Sequence, residues 1–336
     1  MLKLALLGCG AISQWHRRAC ADLPQIRITA CIDVDATRAQ AAARECGAQA
    51  FGSLEEALAR AEFDAVDVML PHDLHEATAL QVFAAGKHLL LEKPMATTVD
   101  ACERILAASR QSDRVFMVGE TAQYWPEVLA ARQLIRQGRI GRVLGARTMA
   151  QYAPSPEFYA GGSWRMSRGT MGGGLAIDTA PHFVRALRLL CGEFTAVTAT
   201  FGYPFAEMEG ESHVQALLKT ADGTVASLEL LLIASAIAPH EAFRVAGDAG
   251  QIVIDTAGVH LYDAANPGGT LVHAAQPLQY FAGFRGQIAD FAAAVLDGEP
   301  LAAPPEMARD EVEIALAMRD SAQTGEWRNV SGKGAR

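Results

Sequence analysis

The strongest constraint on this fold is the alternation, over roughly the first 120 residues, of short apolar runs with segments of helical length. The apolar runs predict strands at 2–7, 27–32, 65–69, 88–91 and 115–118. Between them, Ala, Leu and Arg recur at helical spacing over 36–46, 74–85 and 98–111. Because repeated strand–helix–strand units join strands that run in the same direction, this pattern predicts an α/β fold with a parallel, doubly wound sheet.

Beyond about residue 122 the pattern changes to strands that follow one another without helices between them. The predicted strands are 196–201, 213–219, 225–232 and 251–254, with turn signals at Asp222-Gly223 and 248–250. Helices are predicted at 127–136, 284–296 and 307–323. Consecutive strands joined by turns pair antiparallel, so this part is an α+β domain with a mostly antiparallel sheet. We therefore predict a doubly wound domain over 1–122, an α+β domain over 123–330 and a tail over 331–336.

The charge of the chain is moderately acidic and evenly spread. A formal net charge of -9 over 336 residues, without acidic or basic blocks, disfavours nucleic acid and membrane surfaces as partners, because both call for a clustered basic face. The N-terminal segment lacks the basic region and cleavage site of a secretory signal, and glycine interrupts its apolar stretch far short of the roughly 20 residues that cross a bilayer. We therefore expect a cytoplasmic protein with a small-molecule partner and no membrane or nucleic-acid partner.

The 6 cysteines show neither Cys-x-x-Cys pairs nor a paired spacing with histidine. This pattern indicates reduced thiols that pack as small hydrophobic side chains. Neither a disulfide framework nor a metal site is predicted.

A glycine-rich turn follows the first predicted strand directly and opens a helical segment, which is the context that a dinucleotide-binding fingerprint requires. The turn reads Gly8-Cys9-Gly10-Ala11-Ile12-Ser13. Gly8 and Gly10 let the backbone turn tightly and approach a pyrophosphate, which then rests at the positive end of the helix that begins after Ala11 and Ile12. Ser13 stands where a third glycine is common, and this departure predicts looser packing of the helix against the strand.

Asp33 ends the second predicted strand about 23 residues beyond Gly10, where an acidic side chain hydrogen-bonds the adenosine ribose hydroxyls. A carboxylate there repels the 2′-phosphate of NADP, so NAD is the predicted cofactor and NADP is less favoured. Asp35 repeats the charge and also suits the N-cap of the next helix. Arg38 would either pair with a 2′-phosphate or lie in solvent.

The segment 172–182 carries a second candidate site. Three consecutive glycines, 172–174, allow close approach of the backbone to a ligand, and Pro181 is tolerated in a helix only in its first turn. Asp178 and His182 therefore lie at i and i+4 near a helix start, on one face, where both could meet the same substrate. The alternative is that Asp178 caps the helix and His182 is a hydrogen-bonded core histidine.

Glu92-Lys93-Pro94 ends the predicted strand 88–91 at the edge where an α/β sheet meets its ligand. Proline restricts the preceding residue to an extended conformation, so Lys93 is held in a defined place. Oxidation of an alcohol with NAD needs a base that takes the hydroxyl proton as the hydride leaves. His182 is a candidate because imidazole is a common general base, Lys93 would act as a base from a buried position, and Asp178 would orient one of them. Glu92 is expected to pair with a neighbour and stabilise the loop.

The order and spacing of these motifs resemble the Gfo/Idh/MocA oxidoreductase family. The resemblance covers nearly the whole chain and rests on Gly8-x-Gly10, Pro71-x-x-x-His75, Ala85-Gly86-Lys87-His88, Glu92-Lys93-Pro94, Gly138-x-x-Gly141, Trp164-Arg165, Asp178-x-x-x-His182 and Gly247-x-x-Gly250. It implies an N-terminal Rossmann domain that binds NAD or NADP and a C-terminal α+β domain whose large open sheet builds homodimers or homotetramers. It also implies oxidation or reduction of sugars, inositols and related polyols, with binding at the carboxyl ends of the parallel strands.

The resemblance assigns roles to individual residues. Lys93 and His182 would transfer the proton, and Asp178 would bind the substrate or the lysine. The predicted cofactor residues, besides the glycine turn and Asp33, are Pro71, His72, His75, Glu92 and Lys93. The predicted substrate residues, besides the catalytic ones, are Tyr152, Trp164 and Arg165. The lysine–proline bond of the triplet is often cis in the family, so we expect a cis peptide there.

Several residues depart from the pattern that is common in the family. They are His72, where asparagine often follows the proline; Gln123, where arginine is frequent; Ala180, where Asp-x-Gly-x-His has glycine; and Arg185, where an acidic residue is frequent. The catalytic residues are retained, so the departures concern the substrate rather than the chemistry. Arg165, Arg168 and Arg185 could meet an anionic group such as a uronate or a phosphate. Tyr152, Trp164 and Tyr280 could stack on a sugar face or simply pack.

Three functions stay open at this stage. The first is an NAD-dependent dehydrogenase that acts on a secondary alcohol or ketone of a sugar, inositol or sugar derivative. The second resembles relatives that cleave glycosidic bonds by transient oxidation, elimination, water addition and re-reduction with tightly held NAD. The third is a non-catalytic sensor that binds nucleotide or sugar and signals through a partner; such relatives typically lose the lysine or the histidine. Because Lys93 and His182 are both present, the sequence favours an enzyme, and the dehydrogenase most.

Overall fold

The structure is a computed structural model that describes residues 1–235, 242–275 and 279–331, with the backbone alone at 279 and 280. Apart from residue 331, the predicted tail 331–336 lies outside the described residues, as does the side chain of Tyr280, which was predicted to stack on a sugar or to pack. The chain forms two compact units, the first made of Met1–Thr121 and Phe284–Arg309, and the second of Ala122–Gly283 and the chain from Asp310 onward. The sequence assigned all of 123–330 to the second domain, whereas the structure groups Phe284–Arg309 with the first unit.

Two side chains explain why Phe284–Arg309 belongs to the first unit. The ring of Phe284 stacks on Trp15, with ring centroids 6.2 Å apart. Gln287 is fully buried, and its Nε2 lies 3.5 Å from Glu92 Oε1. The helical pattern of this segment did not show which unit its buried side chains would join, because that depends on contacts with residues far away in the chain.

The first unit alternates strands and helices. Its elements in chain order are β1 (Leu2–Leu7), α1 (Ser13–Ala21), β2 (Ile26–Ile32), α2 (Ala36–Cys46), β3 (Gln49–Phe51), α3 (Leu54–Arg60), β4 (Ala65–Val68), α4 (His75–Ala84), β5 (His88–Glu92), α5 (Val99–Ser112) and β6 (Phe116–Gly119). Across residues 1–121, all of which the structure describes, 6 strands pair in parallel in the order β3-β2-β1-β4-β5-β6. The doubly wound sheet is confirmed, although β3 and α3 were not predicted.

Local capping sets where several of these helices begin. Asp35 Oδ1 accepts from the Thr37 amide at 2.8 Å, so Asp35 is the N-cap of α2, one of its two predicted roles. Thr98 caps α5 in the same way through the Ala101 amide. The N-cap of α1, Ile12, has no capping side chain, so no side-chain oxygen of the N-cap neutralises the positive end of that helix.

The second unit is built on a large sheet. Its elements in chain order are α6 (Pro126–Arg136), β7 (Val143–Tyr152), α7 (Pro156–Tyr159), α8 (Arg168–Met171), α9 (Leu175–Asp178), α10 (Ala180–Cys191), β8 (Phe194–Gly202), β9 (His213–Thr220), β10 (Val225–Leu232), β11 (Phe243–Gly247), β12 (Gly250–Asp255), β13 (Gly258–Asp263), β14 (Thr270–Ala274), α11 (Gln279–Asp297), α12 (Glu306–Thr324) and β15 (Arg328–Asn329), where α11 and α12 each also contribute residues to the first unit. Within the described ranges the sheet has 9 strands in the order β14-β13-β12-β11-β7-β10-β9-β8-β15.

Only β7 and β10 pair in parallel among the described neighbours of this sheet, and the other pairs are antiparallel. The predicted mostly antiparallel sheet is therefore confirmed. The central strand β7 was not predicted, because its sequence VLGARTMAQY lacks the alternation that indicates a strand. One face of the sheet packs on α10 around Val184, Leu187 and Leu230. No helix in the described part of the chain is both long and apolar enough to cross a membrane.

Candidate active site

The glycine turn lies where the strand order of the first sheet reverses, between the carboxyl ends of β1 and β4. Such a switch point is where doubly wound sheets bind ligands. Gly8 has φ +97°, in the left-handed region, and a Cβ on Gly8 would lie 2.3 Å from Met69 O. Apart from Gly10 itself and its two neighbours in the chain, no atom of the described residues comes within 4 Å of the place that a Cβ on Gly10 would take. The fold itself therefore requires Gly8, while the open space beside Gly10 suits an approaching phosphate.

Asp33 follows β2 and is 8% exposed. Its Oδ2 accepts from the Cys9 amide at 2.8 Å, and its Oδ1 accepts from the Asp35 amide at 2.8 Å. These bonds hold the carboxylate beside the glycine turn, and each oxygen retains a lone pair for a ribose hydroxyl. The next residue, Val34, is 96% exposed and offers an apolar surface that suits the face of an adenine ring.

Ser13 ties the start of α1 to the glycine turn. Its Oγ donates to Gly10 O at 2.6 Å and accepts from Arg17 Nη1 at 2.6 Å, and the residue is fully buried. Ser13 therefore joins the helix to the turn, where the sequence suggested looser packing. The first turn of α1 holds no acidic side chain. The helix start beside Ala11 and Ile12 thus suits an anion such as a pyrophosphate.

The loop after β4 carries three predicted cofactor residues, Pro71, His72 and His75. His72 is buried in a short 3-10 helix, and His75 begins α4. Nδ1 of His75 lies 2.8 Å from Pro94 O, and Nε2 lies 2.9 Å from Leu70 O. Burial and the nearby His72 lower the pKa of His75 to about 4, so the ring is neutral at pH 7 and donates to only one of these two carbonyls.

The loop after β5 begins with the triplet Glu92-Lys93-Pro94. The predicted cis peptide bond between Lys93 and Pro94 is confirmed, and Lys93 is half-buried. Glu92 ends β5, and its Oε1 lies 2.9 Å from His16 Nε2. The predicted pairing of Glu92 with a neighbour is therefore confirmed, and the partner comes from α1.

His16 is fully buried and faces a carboxylate on each side of its ring. Nδ1 lies 2.7 Å from Asp67 Oδ2, and Nε2 lies 2.9 Å from Glu92 Oε1. A histidine that donates from both nitrogens carries two protons and is an imidazolium. Burial opposes this charge, but the carboxylates of Asp67 and Glu92 outweigh burial and raise the pKa of His16 to about 10.

This charge should make the stability of the protein depend on pH. Because the pKa of His16 rises from about 6.5 to about 10 on folding, its stabilising contribution is complete below pH 6.5 and is lost as the pH rises towards 10. In the wild type, this group should lower the free energy of unfolding by about 1.4 kcal/mol per pH unit across this window. In His16→Asn this contribution should be absent. Urea unfolding followed by circular dichroism at several pH values between 7 and 9 measures it, and equal slopes in the two proteins would contradict the prediction.

In the second unit the glycine run 172–174 precedes α9. A Cβ on Gly174 would lie 2.2 Å from Glu211 O, and Glu211 Oε1 accepts from the amides of Gly174 and Ala176 at 3.0 Å each. The sequence predicted that these glycines admit a ligand. At Gly174 the neighbour that comes close is the backbone of Glu211, which anchors the start of α9.

Asp178 ends α9, where it is buried beside two predicted substrate residues. Its Oδ2 lies 3.3 Å from Arg165 Nε. The Arg165 guanidinium lies 4.3 Å from the ring centroid of Trp164 and 5.1 Å from that of Phe158. The structure thus brings together the carboxylate of Asp178, which can accept from a hydroxyl, and the guanidinium of Arg165, which is already paired with that carboxylate. The ring of Trp164 adds an aromatic surface.

Tyr152, the third predicted substrate residue, ends β7. Its hydroxyl lies 3.0 Å from Thr179 Oγ1. Burial and the neighbouring Tyr159 raise the pKa of Tyr152 well above its usual value, and burial and Asp178 raise the pKa of Tyr159 to about 12. Both phenols therefore stay protonated at neutral pH and can donate hydrogen bonds.

His182 lies in the first turn of α10, directly after Pro181, which occupies the predicted first-turn position. A non-helical residue, Thr179, separates α9 from α10, so Asp178 and His182 lie on consecutive short helices rather than on a single one. His182 is half-buried, and its ring centroid lies 6.1 Å from that of Trp125.

One of the three arginines predicted to meet an anion is used inside the protein. Arg185 is 1% exposed, and its Nε and Nη2 lie 2.5 and 3.1 Å from the carboxylate of Glu311. Its Nη1 donates to Gln123 Oε1 at 3.4 Å. Arg185 is therefore a core residue, and the prediction that it could meet a substrate is wrong. Arg168 also has an internal partner, since its Nη2 donates to Glu209 O at 3.1 Å.

Sequence reasoning missed several polar residues of these two sites. They are His16, Asp67 and Gln287 around Glu92, and Tyr159 and Thr179 near Asp178 and Tyr152. Asp67 carried a usable signal, because it interrupts the apolar run 65–69 and a carboxylate in a doubly covered strand needs a partner. The identity of that partner could not be read from the sequence.

The glycine turn, the uncapped start of α1 and the carboxylate of Asp33 fit the pyrophosphate and unmodified ribose of NAD. In the described ranges no three His, Cys, Asp or Glu side chains are grouped to hold a metal ion. All 6 cysteines are free. The fold and this site define an NAD-binding protein of the Rossmann class.

Comparison with known proteins identifies the family. The model described as "Oxidoreductase family, NAD-binding Rossmann fold" matches residues 2–120, and that of the "GFO/IDH/MocA C-terminal domain" matches residues 128–253. Inositol 2-dehydrogenase of Burkholderia cenocepacia is 31% identical over 240 residues, which cover 69% of this chain and 67% of that enzyme. The chain belongs to the Gfo/Idh/MocA family of oxidoreductases.

Two further relatives extend the comparison. Levoglucosan dehydrogenase of Pseudarthrobacter phenanthrenivorans is 28% identical over 213 residues, which cover 56% of this chain and 55% of that enzyme, so this alignment spans about half of the relative's length. The crystal structure of GenD2 from gentamicin A biosynthesis, in complex with NAD, is 26% identical with a TM-score of 0.86 and covers 98% of this chain and 96% of that chain. The resemblance in the sequence and the choice of NAD as cofactor are both confirmed.

Proposed function

We propose that the protein is an NAD-dependent oxidoreductase that transfers a hydride between nicotinamide and a secondary alcohol or ketone of a sugar, inositol or sugar derivative. The observation that carries the proposal is the loop Glu92-Lys93-Pro94 at the carboxyl end of β5, on the edge of the sheet that also holds the glycine turn and Asp33. The inositol and levoglucosan dehydrogenases among its relatives support the substrate class.

The chemistry requires one proton transfer for each hydride transfer. NAD, when bound, accepts the hydride from the alcohol carbon. We assign the hydroxyl proton that leaves at the same time to Lys93 and His182. Asp178 would accept a hydrogen bond from a second substrate hydroxyl, and Tyr152 and Arg165 would donate to substrate oxygens.

We expect a preference for neutral polyols over uronates. Arg165 already faces Asp178, and Arg185 is buried against Glu311. A carboxylate substrate would have to compete for a guanidinium that has a carboxylate partner, and it would lie near the negative charge of that partner.

A substrate screen tests the proposal. Sugars, inositols and uronates are offered with NAD and, in parallel, with NADP, and the reduced cofactor is followed by absorbance. We expect reduced cofactor from at least one neutral polyol, with NAD preferred because Asp33 repels a 2′-phosphate. Measuring reducing sugar released from glycosides alongside NADH separates net oxidation from cleavage by transient oxidation. A chain that produces no net NADH from any alcohol and oxidises no NADH with any ketone contradicts the proposal.

We also propose that the exposed face of the large sheet builds a homodimer or homotetramer. Exposed and buried residues alternate along β9, and Leu217 on the exposed face is 42% exposed. A groove on this face includes Met149, Thr200, Leu217 and Glu229. Sedimentation equilibrium should give a dimer or a tetramer, and Leu217→Asp should shift the equilibrium towards the monomer, because a charge would be buried in the interface. A monomeric wild type would contradict the proposal.

A further inference from the structure

We infer that two buried histidines, His16 and His75, are positioning residues that hold Lys93 by anchoring the residues on its two sides. The inference rests on the proposed function in that it takes Lys93 as a proton-transfer residue. Neither histidine is itself required for the chemistry: His16 binds the side chain of Glu92, and His75 binds the carbonyl of Pro94.

On the side of Glu92, the anchor is a buried charge cluster. His16 lies between Glu92 and Asp67, and Asp67 lies in the interior strand β4, which fixes the ring from its far side. All three residues are less than 10% exposed. The glutamate is also closely packed, because Gly119 is its partner in β6 and a Cβ there would lie 3.3 Å from Glu92 Oε1.

On the side of Pro94, the anchor is a hydrogen bond from His75 to the Pro94 carbonyl. His75 is fully buried at the start of α4, with Pro94 O at 2.8 Å from Nδ1 and Leu70 O at 2.9 Å from Nε2. In the tautomer that is protonated at Nδ1, the neutral ring donates to the carbonyl of Pro94, the residue that follows Lys93.

These two anchors fix the backbone on both sides of Lys93. Glu92 ends β5 and the chain bends at Lys93, where the following proline restricts the backbone conformation. With the carboxylate of Glu92 and the carbonyl of Pro94 both held, the backbone from which the Lys93 side chain extends has a defined position. Such supporting contacts hold a catalytic group within a fraction of an ångström of its working position. A displacement of the catalytic group by about 1 Å can lower the rate roughly 100-fold.

Stability alone gives little reason for the charge cluster. Burying an imidazolium between two carboxylates costs the desolvation of three charges. Proteins with well-packed apolar residues of similar volume in place of such a cluster are often as stable or more stable. A precise contact to the carboxylate that precedes Lys93 is something that an apolar replacement would not supply.

The kinetic test uses three matched histidine variants. His16→Asn and His75→Asn each remove one anchor, and His88→Asn is the control, because His88 begins the same strand β5 and its Nδ1 accepts from the Val115 amide, a bond that asparagine can keep. With a substrate from the screen, we expect kcat to fall about 10- to 100-fold in the first two variants, with KM for NAD little changed, and to stay the same in the control.

A double-mutant cycle shows whether His16 acts through Glu92. If it does, adding His16→Asn to Glu92→Gln lowers kcat much less than His16→Asn does in the wild type. A histidine that served only to pack α1 would lower kcat by the same factor in both backgrounds, and that result would overturn this half of the inference.

A second readout needs no substrate. The acetylation rate of Lys93 by acetic anhydride, measured by mass spectrometry relative to Lys87 in the same protein, should rise several-fold in His16→Asn and His75→Asn and stay constant in His88→Asn. Unchanged acetylation and unchanged kcat together overturn the inference. If no polyol is oxidised, the proposed function fails while acetylation still decides this question. If His16→Asn does not fold, Asp67→Asn removes the support of the same ring and keeps the imidazole in place.

Discussion

Replacing Lys93 with methionine should lower kcat for NADH formation by about 10³-fold, within the range that proton transfer by a positioned group contributes. Methionine has a similar length and no group that can accept a proton, so the substrate hydroxyl loses its acceptor while the volume is kept. NADH binding, followed by fluorescence titration, should remain within a few-fold of wild type, because the glycine turn and Asp33, which we expect to bind the pyrophosphate and the ribose, are unchanged. The measurement is kcat with the best substrate of the screen.

Lys87→Met is a matched control for this variant. Lys87 lies just before the opposite end of β5, where its Nζ donates to Phe63 O at 2.8 Å and lies 5.1 Å from the Phe63 ring centroid. Both variants lose one positive charge from the same part of the chain, but only one lies at the carboxyl end of the sheet. A Lys93→Met enzyme with the kcat of Lys87→Met would exclude Lys93 as a proton-transfer residue.

Gly8→Ala and Gly10→Ala should fail in different ways although only one residue lies between them. Gly8 combines φ +97° with a position from which a Cβ would overlap Met69 O, so alanine there should reduce the free energy of unfolding by about 2–5 kcal/mol. Gly10 has neither restriction, so alanine there should leave the fold intact. Its methyl group would instead occupy the space that suits the pyrophosphate, and NAD affinity should fall by about 10- to 100-fold, which corresponds to roughly 1.4–2.7 kcal/mol.

Two measurements on each variant separate these outcomes. Urea unfolding reports the stability, and fluorescence titration with NADH reports the affinity. The expected result is an unstable Gly8→Ala protein and a stable Gly10→Ala protein that binds NADH weakly. A Gly10→Ala protein that is stable and binds NADH as tightly as wild type would mean that the cofactor does not approach the backbone at Gly10.

The strands and helices of the first unit could be predicted because their signals are local. The apolar runs that predict β1, β4, β5 and β6 lie within a few residues of the observed strands, and α2 begins and ends where predicted. The central strand β7 was not predicted, because a glycine and an arginine interrupt the alternation of apolar and polar residues in its sequence. Pairing with β10 and β11 on its two sides compensates for this weak local preference. Sheet contacts of this kind override local preference.

The candidate sites divide in the same way. The glycine turn, Asp33, the triplet at Lys93 and the motif from Asp178 to His182 each lie within a short stretch, so residue type and spacing suffice to find them. The polar partners of these residues were not found, because His16 and Glu92 are 76 positions apart. The departures at Gln123 and Arg185 gave no hint that these two side chains, 62 positions apart, contact each other.

By itself, the sequence determined the doubly wound class of the first unit, the candidate NAD site and the family, because period, glycine spacing and the position of one carboxylate are properties of neighbouring residues. Only the tertiary structure decided that Arg185 is a core ion-pair residue, that Gly174 makes room for Glu211, and that His16 and His75 hold the residues on either side of Lys93. Hydrogen bonds between buried groups depend on distances of about 3 Å between segments remote in the chain, and only the packed fold sets those distances.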